Sequence, residues 1–521
     1  MQPSLWQPPH ELSSNEQAIM KRIKRAKLFV FLRQHRHELF NEAFQQELAT
    51  LYQARTRGQP PIPPAQLARA PILQAYTGAS DDEVIEATTM DRRWQLVLDC
   101  LDVEEPPFSK GTLIAFRNRL IESEMDRRLI ERTLEVARET GAFGAGPRLT
   151  ALDSSPLWGA GRVEDTYNLL GHALRKALSV IARKPGRGLT EIAAEADASL
   201  LGSSSLKAAL DRDWDEPSER AEALEVVLGV LTTGERWLET KPEGSEEPAV
   251  QRSLAAASQV KQQDIEISEA GAAVLREGVA KDRRISIEDA QMRHGRKSRS
   301  VRVDGYKRHV LRDLDTGLVP AVGITPANVA EATVTDAIAA DLRCQQISLG
   351  ELHIDRAYLS SSLVRDRSED LQVYCKAWPV RNASRFPKTA FELDWQRQLL
   401  RCPNQYEMPF VPGGVVQFPA EICQVCPLRE RCTTSRHGRS VSIHPDEALL
   451  RELRQRQLTP VGRAKLRQRV AVEHALAHIG YWQGRRARYR GLRKNLFDLR
   501  RCAVVHHLHV LARVTALLNV A

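Results

Sequence analysis

Three carboxylates, Asp153, Asp355 and Glu473, stand where a split metal site would need them. Asp153 closes the run RLTALD (148–153) and Asp355 closes ELHID (351–355), so each acid ends a short apolar strand pattern. Glu473 lies in RQRVAVEHALAHIG (467–480), a helical pattern with Arg469 one turn earlier on the same face. Taken singly, each has an ordinary explanation. Asp153 begins Asp-Ser-Ser-Pro, good turn chemistry; Asp355 adjoins Arg356; Glu473 and Arg469 form an i, i+4 pair. Taken together, two strand ends and a helix can converge. Such a cluster repels itself and raises its own pKa unless divalent cations neutralise it. Oxygen ligands from few side chains suit Mg²⁺ (or Mn²⁺), and a pair of such ions serves phosphodiester chemistry. Asp165 and Asp304 are lesser candidates, the first opening a helical stretch and the second lying mid-hairpin beside Gly305.

Two basic clusters accompany the acids. GRRARYRGLRKN (484–495) carries Arg485, Arg486, Arg488, Arg490, Arg493 and Lys494 with no acid among them, directly after the glutamate's helix. RHGRKSRS (293–300) carries Arg296, Lys297 and Arg299 and leads into a hairpin containing Lys307. Both are read as grips on a phosphate backbone, and Arg469 is grouped with them. FSKGTLIAFRNRL (108–120) forms a helix ending in Arg117 and Arg119, a possible reader helix of helix-turn-helix type. Of eight cysteines, Cys100, Cys344, Cys375 and Cys502 are scattered among apolar neighbours and read as small buried hydrophobes. Cys402, Cys423, Cys426 and Cys432 are grouped around one CxxC, a set acceptable for structural tetrahedral Zn²⁺, with a reduced Cys-rich core as the alternative. Zinc would staple a loop region, 395–435, too short and Pro-rich to build its own core.

The elements that must position these residues follow from periodicity. Residues 1–146 read as all-helical: a long charged helix over 15–60 ended by QPPIPP, a core helix at 66–76, a capping-box start at Ser80 and Glu83 for one helix through 101, then helices at 108–120 and 121–141. Strand texture begins at 147–165. Residues 166–292 form a helical insertion, predicted helical to about 290. A second strand group occupies 293–394: a hairpin turning at 315–317, a helix at 329–344, the Asp355 strand, a helix near 360–368, and a strand at 371–378. The Cys-rich module at 395–435 and a C-terminal part at 436–521 complete the chain. The order of strand, helical insertion, hairpin, helix, strand, helix, strand and late helix is the α/β RNase H-like arrangement with an insertion after the first strand.

With 75 basic and 66 acidic residues over 521, the net charge of +9 suits a polyanionic partner without proving one. The N-terminus is polar and Pro-rich, with no signal-peptide pattern and no apolar run of membrane-spanning length, so a cytoplasmic protein is expected.

SDDEVIEATTMDRRWQ, FSKGTLIAFRNRL, LTALDSSPLWGAGRVEDTYNLL, MRHGRKSRSVRVDGYKRHV, TPANVAEA, HIDRAYLSS, the CxxC stretch and RVAVEHALAHIGYWQGRRARYRGLRKNLFDLRR occur in this order over almost the full length. In these stretches the chain resembles the DDE transposases of bacterial insertion sequences, close to the eleven-eighty-two family. The resemblance implies that Asp153, Asp355 and Glu473 are the catalytic triad. Arg469 matches the arginine of the superfamily's terminal signature, whose tyrosine and lysine are replaced here by Leu466 and Gly480. It further implies double-stranded DNA partners (terminal inverted repeats and target DNA), end cleavage followed by transesterification, and a homodimer in the synaptic complex. A metal-dependent nuclease of the same fold that cuts without joining, and a domesticated DNA-binding regulator, remain open as alternatives.

Overall fold

Apolar strands around Leu152 organise a six-stranded sheet in the computed structural model, which describes residues 3–53, 59–183, 186–241, 246–297 and 300–518. In chain order the strands of the main body are β1 (Arg148–Trp158), β2 (Ile265–Ile267), β3 (Ala273–Leu275), β4 (Arg293–Arg296), β5 (Arg302–Asp313), β6 (Ala321–Pro326), β7 (Leu349–Ile354) and β8 (Gln372–Tyr374). The sheet runs β4–β5–β1–β7–β8, with β6 pairing β5 beside β4. β5 is antiparallel to β1 and β6, whereas β7 is parallel to β1 and β8 is parallel to β7. The hairpin predicted at 315–317 is present: Gly317 takes a left-handed φ of 79°, and Asp313 Oδ1 accepts from Thr316 N at 2.8 Å. At the start of β5, Gly305 has φ 155°, and a Cβ there would lie 2.4 Å from the Leu157 carbonyl oxygen. Only glycine lets β5 cross β1 this closely.

The single long helix predicted over 15–60 is instead four short ones: α1 (Ser14–Arg22), α2 (Lys27–Gln34), α3 (Arg36–Leu39) and α4 (Glu42–Ala49). Polar caps divide them, as where Asn41 accepts from Phe44 N. α5 (Pro64–Thr77) follows and accommodates Pro71 within the helix. The predicted helix from Ser80 has its capping box but breaks into α6 (Asp81–Met90) and α7 (Arg92–Leu98), because Asp91 caps the second. α8 (Lys110–Glu122) and α9 (Met125–Glu139) complete the region. These helices share one core with the helix Val470–Gln483 and the C-terminal helix Leu492–Leu518. Arg501 of the latter donates to Gln74 at 2.6 Å, and Arg493 to Asp126 at 2.9 Å.

Helices at Thr166–Arg183, Leu189–Glu195, Leu206–Leu210, Pro217–Glu239 and Pro248–Asp264 bury a second core between β1 and β4. The helical prediction to residue 290 fails beyond Asp264. Ile265-Glu266-Ile267 alternates with period two, and Gly271 at φ 80° supports the turn into β3. The Cys-rich region also departs from expectation. Strands β9 (Glu392–Asp394), β10 (Leu399–Arg401), β11 (Glu407–Pro409), β12 (Val415–Gln417) and β13 (Ser440–Ser442) frame a small core of Phe391, Leu400, Phe410, Val416, Phe418, Val441 and Ile443. The region extends past 395–435 on both sides, where Phe391, Val441 and Ile443 complete a core begun by Leu400, Phe410, Val416 and Phe418. Among the described residues, no helix is long and apolar enough to cross a membrane.

Candidate active site

Register brings the two aspartates together. Leu152 of β1 pairs with Ile354 of the parallel β7, so Asp153 and Asp355 follow one another's neighbours at the ends of adjacent strands. Both line one cavity with Ser154, Ser155, Lys297, Lys307 and Glu331. Each carboxylate is oriented by the chain just beyond it. Asp153 Oδ1 accepts from Ser154 N at 2.8 Å, and Asp355 Oδ1 accepts from Arg356 N at 2.6 Å as it caps a short 3₁₀ turn.

The helix Val470–Gln483 packs on β1 and β5 and brings Glu473 to the same place. Arg469 links the acids: one guanidinium nitrogen lies 2.5 Å from Asp153 Oδ2 and another 3.2 Å from Glu473 Oε1. Burial pushes the Asp153 carboxyl above its ordinary range, Arg469 opposes that rise, and the charges of Asp355 and Glu473 add to it. Arg308 fixes the far end of the helix. It is buried and donates to Ser155 Oγ at 2.9 Å, Pro156 O at 3.1 Å and Gln483 Oε1 at 3.0 Å, tying β1 to the helix.

A polar layer that sequence reasoning missed lies beneath the acids. His309, opposite Ser154 in the β1–β5 register, is fully buried between the Tyr358 hydroxyl (2.8 Å) and Thr325 Oγ1 (2.9 Å). Burial drives its pKa down to about 3, so it is neutral. Glu331 is the third acid lining the cavity with Asp153 and Asp355, 3.7 Å from Lys307, which also donates to Val329 O at 2.9 Å. Tyr358 and Glu331 sit inside HIDRAYLSS and TPANVAEA, so the stretches were visible although the individual roles were not.

The predicted basic residues divide into two groups. Arg296 and Lys297 are exposed beside the aspartates, and Arg485 and Lys494 are also exposed; Arg299 lies outside the described residues. The remainder of the 484–495 run holds the fold. Arg486 donates to Gly159 O, Arg488 to the carbonyls of Gly78 and Ala79, Arg490 to Glu288, and Arg493 to Asp126 and Ile121 O. Arg117 is buried in a bidentate pair with Asp81 at 2.8 and 2.9 Å, and Arg119 stacks on Tyr52 at 4.5 Å. The reader-helix expectation for these two gives way to packing, since their guanidinium groups face protein. Asp304 bonds His294 at 2.5 Å and Asp165 bonds Asn168, which takes both lesser acids out of the cavity.

Cys402, Cys423, Cys426 and Cys432 are free, half-buried and line a single small cavity in the β9–β13 module. Burial raises the Cys432 thiol, as do the charges of the other three cysteines, while Arg439 opposes the rise. The thiols therefore converge. Among the described residues, however, no three His, Cys, Asp or Glu side chains are already arranged as a set that could hold a metal, at the acids or at the thiols.

Three family models match the chain. One described as "Transposase domain (DUF772)" covers residues 18–119, and two described as "Transposase DDE domain" cover residues 273–404 and 401–512. No curated protein and no solved structure matches. A helical N-terminal region followed by a mixed α/β sheet, carrying two such domains, defines a DDE transposase, a DNA-cleaving enzyme. This chain is one of the insertion-sequence type. Asp355 and Glu473 fall within matched segments; Asp153 lies outside them and is tied to the pair by strand register and Arg469.

Proposed function

We propose that this transposase binds the terminal inverted repeats of its element, cleaves the ends and joins the freed 3′-hydroxyls to target DNA by transesterification. The sheet is read as an RNase H-like core, with the β6–β5–β1–β7–β8 order as its frame. Asp153, Asp355 and Glu473 are the catalytic acids. The observation that carries the reading is that Asp153 and Asp355 end adjacent parallel strands while Arg469 links Asp153 to Glu473 of a late helix.

The acids suit divalent cations because their mutual charge and the burial of Asp153 already penalise the ionised state. Two Mg²⁺ or Mn²⁺ ions bound there would activate water or a 3′-hydroxyl and stabilise the leaving 3′-oxygen. Asp153, Asp355 and Glu473 are the residues that would hold those ions. Arg469 links Asp153 to Glu473 and favours the charged form of Asp153. Lys307, Lys297 and Arg296 face the incoming phosphate backbone, and Arg485 and Lys494 extend that contact along the DNA. The insertion over 166–292 shapes the synaptic homodimer or covers the active site, residues 1–146 bind DNA or pair protomers, and the enzyme works in the cytoplasm beside the nucleoid. Cys402, Cys423, Cys426 and Cys432, which line one cavity, would close around a structural Zn²⁺.

The test is a reaction on a labelled element end with Mg²⁺ or EDTA, comparing wild type with Glu473→Gln. Cleavage and strand transfer of a pre-cut end are expected with Mg²⁺ alone, and neither with the variant. Cleavage without any joined product would assign the chain to the nucleases. A metal-independent reaction would reject the acids' proposed role.

A further inference from the structure

The segment KRIKRAK (21–27) joins α1 to α2 and carries Lys21, Arg22, Lys24, Arg25 and Lys27, all exposed. None has a side-chain partner among the described residues. The turn is concave rather than a flat solvated face. Arg22, Lys24 and Arg25 line a groove with Arg92 and Arg93, which α7 brings from some seventy positions further on, and Ile19 and Ile23 form its floor. The groove's lining contains no acid. Arg92 and Arg93 are paired with Asp102 (2.9 Å) and Asp91 (2.6 Å), and Arg93 also lies over the Phe29 ring.

Fold stability does not explain this gathering. Lys21 and Arg22 in the last turn of α1 are favoured by the helix dipole. Lys24, Arg25 and Lys27 have the opposite relation to α2. They crowd its positive end, where Ala26 supplies no side-chain cap, and they repel one another. Three unpaired cations lining a groove, with Lys21 and Lys27 beside them in sequence, suit a polyanion that neutralises several at once.

We propose that the α1–α2 turn, with Arg92 and Arg93 of α7, is a DNA-backbone groove, and that this groove, not the α8 arginines, is how the N-terminal region holds a DNA end. This deepens the transposase reading and rests on it. Arg117 and Arg119 are committed to Asp81 and Tyr52, whereas this turn presents its charge outward. Contact is to phosphates, so it supplies affinity and register rather than base choice.

The experiment measures binding of the full-length chain to a fluorescein-labelled duplex in EDTA across a salt series. Lys24→Ala/Arg25→Ala is expected to weaken binding roughly tenfold at moderate salt and to lower the slope of log K against log salt by about two. Lys24→Glu/Arg25→Glu should weaken it further. Thermal melting should be unchanged for the alanine pair, because neither side chain holds a partner. Wild type that binds the duplex, with variants that match its affinity and slope, would overturn the groove and leave the transposase reading standing. Wild type that binds no duplex at any salt would overturn both, and only that result touches the wider reading.

Discussion

The Arg469 guanidinium lies 2.5 Å from Asp153, a residue 316 positions earlier in the chain, and reaches Glu473 on its own helix at 3.2 Å. It is the cation that opposes the upward push of burial on Asp153. Arg469→Ala should therefore raise the Asp153 pKa further and lower kcat about 100-fold, the scale of losing one preorganised charge. The acid limb of the pH–rate profile should move to higher pH, because Asp153 must be ionised to act. Arg469→Lys keeps the charge but cannot span two carboxylates, and should recover part of the rate. A variant with an unmoved acid limb would show that Arg469 does not tune Asp153.

Arg117 and Asp81 make the opposite kind of pair, one that serves packing. The fork is bidentate and Arg117 is buried, and the pairing pulls the Asp81 carboxyl down to about 2. Arg117→Ala leaves Asp81 with the Gln74 hydrogen bond but without its paired cation, and should cost about 3 kcal/mol. Because the folded pKa of Asp81 is depressed, the pair's contribution is full above about pH 4 and lost as pH falls toward 2. Melting temperatures of wild type and variant should thus differ by several degrees at pH 7 and converge in acid. Equal melting at pH 7 together with weakened DNA binding would restore the sequence-level reading of α8.

The contrast between Arg469 and Arg117 shows what the sequence could and could not disclose. Strand ends and helix faces have local periodicity, so the strands that end at Asp153 and Asp355 and the helix of Glu473 were legible, as were the β5–β6 hairpin and the capping box at Ser80. Partners are not local. Nothing around Arg117 announces Asp81, and nothing around Arg493 announces Asp126, so an arginine run that staples helices reads like one that grips phosphates. The layer of His309, Tyr358 and Thr325 was hidden for the same reason: three unremarkable residues from β5, the turn after β7, and β6 become a chain only in register. The helical forecast failed past Asp264 because a three-residue alternation is too short to outweigh the long helical pattern before it.

The four thiols of the β9–β13 module predict a metal dependence confined to that module. Protein prepared without chelator should contain one zinc per chain, and Cys426→Ser should lose it. The module's own apolar core, from Phe391 to Ile443, leaves part of its packing independent of metal. Limited proteolysis should therefore cut within 386–443 in the variant, while the sheet and its helices keep their melting transition. Zinc-free protein with that segment equally resistant would refute the assignment.

His507 joins three parts of the molecule at one buried imidazole. Nε2 lies 2.8 Å from Val319 N and 3.0 Å from Val319 O, and Nδ1 lies 2.7 Å from Thr133 Oγ1 of α9. Burial holds its pKa at about 3, whereas the unfolded chain titrates near 6.5. Between those values the unfolded state binds the extra proton, so His507 withdraws stability as pH falls, by up to about 1.4 kcal/mol per pH unit. His506 and His509, both lowered to about 4, act in the same direction on the same helix. Melting temperature should fall steadily from pH 6.5 to 4.5. His507→Gln should melt lower at pH 7, having lost the Thr133 bond, yet decline less steeply because one proton has left the linkage. Parallel curves for wild type and variant would mean that His507 is not held neutral.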